Sequence, residues 1–224
     1  MATIQVIAFQ VVIAPCVVGT DLLFISIGTC IVFQYRLLQQ CLLKYCTPEM
    51  IVINKKIQNL GNDTYNNNER KQYFITCVKH HQMLQRTTNL MNKIFNVLML
   101  FQLSSTIGGI CLPLTLIAQT DNSISQLYTA LIAVLSLFNQ LLIYCITGEM
   151  ISHEAQLLHH FIYQSNWTNL KIKYQRDLIF FIQHAQRVPQ ISAFNIFHFN
   201  METYLKVSRM SFSLYTFLKT VAYK

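Results

Sequence analysis

A chain of 224 residues with 53% hydrophobic and only 12% charged residues, and with a positive mean hydropathy, departs from soluble domains, where about a quarter of residues are charged. The composition excludes an ordinary soluble domain and points to an integral membrane protein. A net charge of +8 would suggest nucleic acid in a soluble chain, but here the basic residues flank apolar runs, so no nucleic-acid partner is expected.

Residues 3–33 hold no Lys or Arg and one charge, Asp21, which predicts a first membrane span with Pro15 inside it. The run is too long, and lacks the basic start, for a secretory signal. A carboxylate in a span is costly unless it faces protein or water. Asp21 is therefore expected to meet a hydrogen-bonding partner, with a place on a ligand or ion path as the alternative.

Gln34, Gln39, Gln40 and Lys44 continue this helix past the bilayer as far as Pro48, and the polar residues 54–68 read as a loop. Helical character is expected again near Glu69. Phe74, Val78, His81 and Leu84 recur at helical spacing and run without a break into the next apolar stretch. Between Lys93 and Glu149 the only charge is Asp121, so residues 94–118 and 124–147 predict a membrane hairpin with a short polar link. Arg36, Lys44, Lys55, Lys56, Arg70, Lys71, Lys79, Arg86 and Lys93 precede the hairpin. Lys171, Lys173, Arg176, Arg187 and Lys206 follow it. Segments 36–93 and 148–194 are thus expected in the cytoplasm and the link outside. The amino terminus is then also outside, an arrangement that predicts three further spans ahead of residue 1.

Beyond Gly148 a helical extension carrying Glu149, His153, Glu154, His159 and His160 is expected to end near Trp167. Tyr174, Leu178, Phe181 and Ala185 then form one stripe, opposite Lys173, Arg176, Asp177, His184 and Arg187. This spacing predicts an amphipathic helix of about five turns stopped by Pro189. A last span over 195–221 is interrupted by Glu202, Lys206, Arg209 and Lys219, which suits a helix packed among others or lining water rather than one facing lipid. Val207, Met210, Leu214, Phe217 and Val221 share one side of it, a stripe read as core in preference to pore. The fold expected is an all-α integral membrane protein of four long membrane helices with cytoplasmic extensions. Its last helix is divided into a cytoplasmic and a membrane part.

Seven cysteines without a C-x-x-C pair read as reduced thiols. Cys77, His80 and His81 lack a fourth ligand at the usual spacing, H-E-x-x-H is absent and no nucleophile–base pair stands out, so neither metal, cofactor nor enzymatic activity is expected. The sequons at Asn62 and Asn166 lie in segments expected to escape glycosylation.

Residues 180–219, with Gln183-His184-Ala185-Gln186 and Pro189, Met201-Glu202-Thr203-Tyr204 and Ser211-Phe212-Ser213-Leu214-Tyr215, resemble the C-terminal signature of insect odorant receptors. Asp21-Leu22-Leu23-Phe24 with Gln34-Tyr35-Arg36-Leu37 resembles that family's fourth helix. Cys77-Val78-Lys79-His80 with Phe101-Gln102-Leu103-Ser104-Ser105 resembles its fifth. Two departures accompany the match: Met210-Ser211 stands where the related gustatory receptors carry Gln-Phe, and His198 where proline is frequent.

The resemblance implies helices four to seven of a seven-span, odorant-gated, non-selective cation channel in the plasma membrane of a sensory neuron dendrite. It implies a tetramer formed with the odorant coreceptor, an extracellular C-terminus, and volatile odorants as ligands. Carried onto this chain it assigns Leu214 as the hydrophobic constriction, with Phe217 one turn outward and Met210 one turn inward. The family's pocket lies between its second, third, fourth and sixth helices, so Phe9, Ile13, Val17, Tyr128, Leu131 and Leu135 are its candidates here. A non-conducting truncated receptor is the alternative. A G-protein-coupled receptor would carry D-R-Y and N-P-x-x-Y, both absent, and a transporter a second copy of the Gly108-Gly109 and Pro113 pattern.

Overall fold

The computed structural model describes residues 2–46, 63–118, 124–165, 167–194 and 197–222, and the side chains of most of them. The Asp121 link, the stretch 47–62, Asn166 and the side chains of Phe9, Ile13, Cys16, Cys46, Cys111 and Val221 lie outside the described residues. Three long helices come first: α1 (Ala2–Cys46), α2 (Asp63–Ala118) and α3 (Ile124–Gln164). A 3-10 turn at Trp167–Asn169 leads to α4 (Ile172–Ala185). Then come a hairpin of β1 (Ser192–Ala193) and β2 (Phe197–His198), and α5 (Met201–Ala222).

Two compact units divide the chain. The first comprises Met1–Thr29, Asn92–Glu149 and Ile191–Lys224; the second comprises Cys30–Met91 and Met150–Gln190. Stretches of α1, α2 and α3 are long and apolar enough to cross a membrane (Val17–Tyr45, Lys71–Ile110, Tyr128–Gln164).

The second unit is organised by stripes at three- and four-residue spacing. Ile31, Tyr35, Leu38, Leu42 and Tyr45 are buried on α1, Cys77, His81, Leu84, Thr88 and Met91 on α2, and Ile151, Ala155, Leu158 and Ile162 on α3. Such a stripe buries one face of each helix and leaves its charged face to solvent. Leu178, Phe181 and Ala185 of α4 are buried as the spacing predicts. The helix itself is shorter than expected, 14 residues rather than five turns, and it ends at Ala185, ahead of Pro189. Pro189 has no N–H to give the Ala185 carbonyl four residues back, and its ring would clash with that carbonyl, so the helix cannot run on through it.

Glu154 is 6% exposed and ties α3 to α1. Its carboxylate accepts from Arg36 Nε at 2.8 Å and from Gln39 Nε2 at 3.1 Å. Because the Arg36 side chain is half in solvent, water screens the pair and its contribution to stability is modest.

His81 packs its ring edge against Phe181, with centroids 5.2 Å apart, and lies 6.0 Å from His184. Burial, and then the neighbouring His184 and His80, push its pKa down to about 4. Burial pushes the Cys77 thiol up to about 11. At neutral pH the helix face offers an uncharged imidazole and an uncharged thiol. Among the described residues no three potential metal ligands come together, and Cys30, Cys41, Cys77 and Cys145 are free thiols.

Two boundaries differ from the sequence reading. Residues 63–68 belong to α2 rather than to a loop; asparagine is a weak helix former, but it is tolerated in the first turns of a helix this long. The final helix begins at Met201 rather than at residue 195, because Phe197 and His198 pair with β1 instead.

That hairpin is held in the first unit by α2. The Ser192 N–H donates to Asn92 Oδ1 at 3.0 Å, Asn92 Nδ2 donates to Ser192 Oγ at 3.5 Å, and the Phe194 N–H donates to Asn96 Oδ1. Phe194 takes the left-handed backbone (φ 52°) at the turn, a conformation that costs a bulky residue energy unless its surroundings enforce it. Replacing Asn92 by alanine removes both of its bonds. It should cost about 1–2 kcal/mol in fluorescence-detected thermal unfolding in detergent. An unchanged midpoint would show that the hairpin does not depend on that anchor.

Candidate ligand cavity and gate helix

The start of α5 is satisfied by the residues around it. Asn200 Oδ1 accepts the Thr203 N–H at 2.9 Å, an N-cap, while Thr203 Oγ1 donates to the His198 carbonyl at 2.6 Å. The Met201 N–H reaches Glu149 Oε2 at 3.4 Å. Where proline is frequent in the resembling family, His198 thus contributes a strand pairing and a carbonyl that receives the helix start.

Beyond the cap, α5 has two dissimilar faces. Val207 is buried, and Tyr204 sets its ring at right angles to Phe138, with centroids 6.3 Å apart. Met210 and Phe217 are 66% and 64% exposed, with half-buried Leu214 between them. This corrects the expectation of a core stripe. Among the described residues of that set, Val207 is buried within the chain and Leu214 half-buried, whereas Met210 and Phe217 are exposed. Lys206 pairs with Glu202 at 2.7 Å, both fully in the open, and Arg209 is exposed.

Behind the opposite face lies a cavity of about 400 Å³. Leu131, Val134 and Phe138 of α3 form one wall and Ile110 of α2 another. Ser208, Ser211, Phe212 and Tyr215 of α5 close it. Leu131 is thus brought to a cavity, but one shared with α2 and α5. Val17, Tyr128 and Leu135 stand on exposed apolar faces (41%, 65% and 60%).

Sequence reasoning missed the contributions of Ile110, Val134 and Phe138. Their only signal is helical spacing on apolar segments, which does not say which side faces protein.

Asp21 has the partners that its position requires. Gln140 Nε2 donates to Oδ2 at 2.7 Å and the Tyr144 hydroxyl to Oδ1 at 2.6 Å. Phe24 stacks on Tyr144 (4.6 Å) and meets Phe95 edge-on (5.2 Å), so an aromatic cluster lies one turn from the carboxylate. The carboxylate acts here as a polar link between α1 and α3.

Long apolar helices, and a carboxylate within one of them held by two donors, define a helical membrane protein. The 7tm Odorant receptor family model matches residues 1–212, and the chain belongs to that family, one of receptors rather than of enzymes. It is similar to Odorant receptor 42a of Drosophila melanogaster, with 26% identity over 175 residues covering 76% of this chain and 42% of the relative. It is also similar to Odorant receptor 85c of the same organism, with 25% identity over 210 residues covering 92% and 49%.

Among solved structures, the insect olfactory receptor OR5 from Machilis hrabei in complex with eugenol superposes with a TM-score of 0.75 at 16% identity. The match covers 97% of this chain and 53% of that one. The chain spans about half the length of the relatives it matches.

Proposed function

We propose that the chain serves as a subunit of an odorant-gated, non-selective cation channel that assembles with the odorant coreceptor, as a tetramer, in the plasma membrane of a sensory neuron dendrite. The observation that carries this reading is the division of α5 into a face packed on its own helices and a face bearing Met210, Leu214 and Phe217 that its own chain leaves uncovered. Four such faces around an axis make a ring of apolar side chains, which closes a pore by dewetting and conducts when the helices move apart. Leu214 is the constriction, with Phe217 outward of it and Met210 inward.

Lys206 and Arg209 lie on the cytoplasmic side of the constriction. The Glu202 partner offsets the charge of Lys206, and its screening eases cation passage. The excess of Lys and Arg in 36–93 and 148–194 supports a cytoplasmic place for those segments and an extracellular C-terminus. The spans are then about 3–33, 94–118, 124–147 and the helix from Met201.

The structural relative is described with eugenol, and the likeness supports small volatile ligands for this chain. Val17, Tyr128 and Leu135, together with Phe9 and Ile13, stand as apolar contacts for such a ligand on α1 and α3.

The test is voltage-clamp recording from cells that express a receptor carrying this chain with the coreceptor. Odorants should evoke a cation current, and Leu214→Ser should raise the odorant-free current severalfold by wetting the constriction. No odorant-evoked current would sink the channel reading. An odorant-free current unchanged by Leu214→Ser would remove Leu214 from the gate.

A further inference from the structure

The cavity between α2, α3 and α5 is separate from the faces that carry Val17, Tyr128 and Leu135, and its lining has a definite chemistry. No charged side chain contributes to it, so an ionic occupant would be buried without a counter-charge at a cost of several kcal/mol. The polar side chains among its lining are those of Ser208, Ser211 and Tyr215. Ser208 Oγ donates to the Tyr204 carbonyl at 2.9 Å and Ser211 Oγ to the Val207 carbonyl at 2.8 Å, so both protons are taken up by their own helix. The Tyr215 hydroxyl has no partner among the described residues and is the one donor left for an occupant. The volume falls within the ordinary range for small-molecule sites. Leu131 and Phe212, both exposed, form its rim on an apolar surface, so an apolar molecule dissolved in the bilayer can reach it without crossing water.

We propose that this cavity is a binding site for a small, uncharged, largely apolar molecule bearing one hydrogen-bond acceptor, such as an alkyl ketone or ester, received by the Tyr215 hydroxyl. At about 100° per residue, Ser208, Ser211, Phe212 and Tyr215 lie roughly 140° around α5 from Met210, Leu214 and Phe217. An occupant therefore bears on the back of the helix whose front carries the constriction. This consequence, though not the binding itself, rests on the channel reading above.

The probe is a diazirine-bearing analogue of 2-heptanone, applied to the receptor in phosphatidylcholine nanodiscs, with labelled residues located by mass spectrometry. Saturable labelling within 131–138 and 208–215, competed by unlabelled 2-heptanone, is the expected result. Val134→Trp, which fills the cavity, should reduce it at least about tenfold, and Tyr215→Phe should weaken it about fivefold, the loss of one hydrogen bond. Tyr215→Phe keeps the ring and so guards against a variant that merely misfolds.

Labelling that does not saturate, that spreads over lipid-facing residues such as Ile132 and that ignores both substitutions would show partition into lipid and overturn the site. Loss of labelling in the assembled tetramer, with labelling in the lone subunit, would show that a neighbouring copy fills the cavity and would overturn it equally. The same ketone applied under voltage clamp reads the channel separately. Labelling without any current leaves the site standing while the proposed function falls.

Discussion

Gly148→Ala should be the most damaging single substitution in the first unit, costing about 3 kcal/mol or more and removing most folded receptor. A Cβ at this position would run into the Phe199 carbonyl oxygen and stand 3.2 Å from its carbonyl carbon. Neither atom is the tip of a side chain that could swing away. The Phe199 N–H is bound to the Ile191 carbonyl at 2.9 Å, so retreat of this backbone would break the connection into α5. Two neighbouring glycines serve as controls. At Gly108 nothing lies within 4 Å, and at Gly109 the close atom is a terminal methyl of Leu137 at 2.8 Å, which a rotamer change relieves. Surface expression and thermal unfolding of the three alanine variants should separate Gly148 from the other two. Equal behaviour would refute the close approach.

Asp21→Leu should cost about 2 kcal/mol. The substitution leaves the Gln140 amide and the Tyr144 hydroxyl without an acceptor, at about 1–3 kcal/mol for each unpaired donor. Part of that loss is offset, because a carboxylate no longer has to be held at membrane depth. Asp21→Asn keeps one acceptor and should lose about half as much. Adding Tyr144→Phe to Asp21→Leu should restore stability, since one stranded hydroxyl disappears, whereas Tyr144→Phe alone should destabilise. Thermal midpoints in detergent decide the matter. Strict additivity of the two changes would mean that the residues do not interact.

Sequence patterns disclosed helices better than they disclosed partners. Apolar runs near residues 3–33 and 94–147 announce their length, and the Tyr174 to Ala185 stripe announces which side of α4 is buried, because that helix also has a charged side. Where a helix is apolar all round, no such contrast exists. Leu131 could therefore be placed on a membrane helix but not beside Ile110 and Ser211. The need of Asp21 for a partner was legible from its charge alone. Gln140 and Tyr144, more than a hundred residues away, were not.

The hairpin was missed for a different reason. Its strands are two residues each, its turn uses a phenylalanine where glycine would have been a signal, and it is held by Asn92 and Asn96, nearly a hundred residues earlier.

That same hairpin makes α5 a lever. Its first turn is fixed by the Asn92 and Asn96 anchors, by the Asn200 cap and by the tight passage over Gly148, whereas its later turns leave Met210 and Phe217 uncovered. Leu214 lies thirteen residues beyond the start of the helix, or about 20 Å along its axis. A tilt of about 10° around the fixed end carries it sideways by about 3 Å, roughly the width of a water molecule, while the pivot stays almost still. Displacement grows with distance from the pivot, so a modest push behind Ser211 or Tyr215 is magnified at Phe217. The anchor that gives the last helix its starting point thereby also sets the mechanical advantage of whatever presses on it.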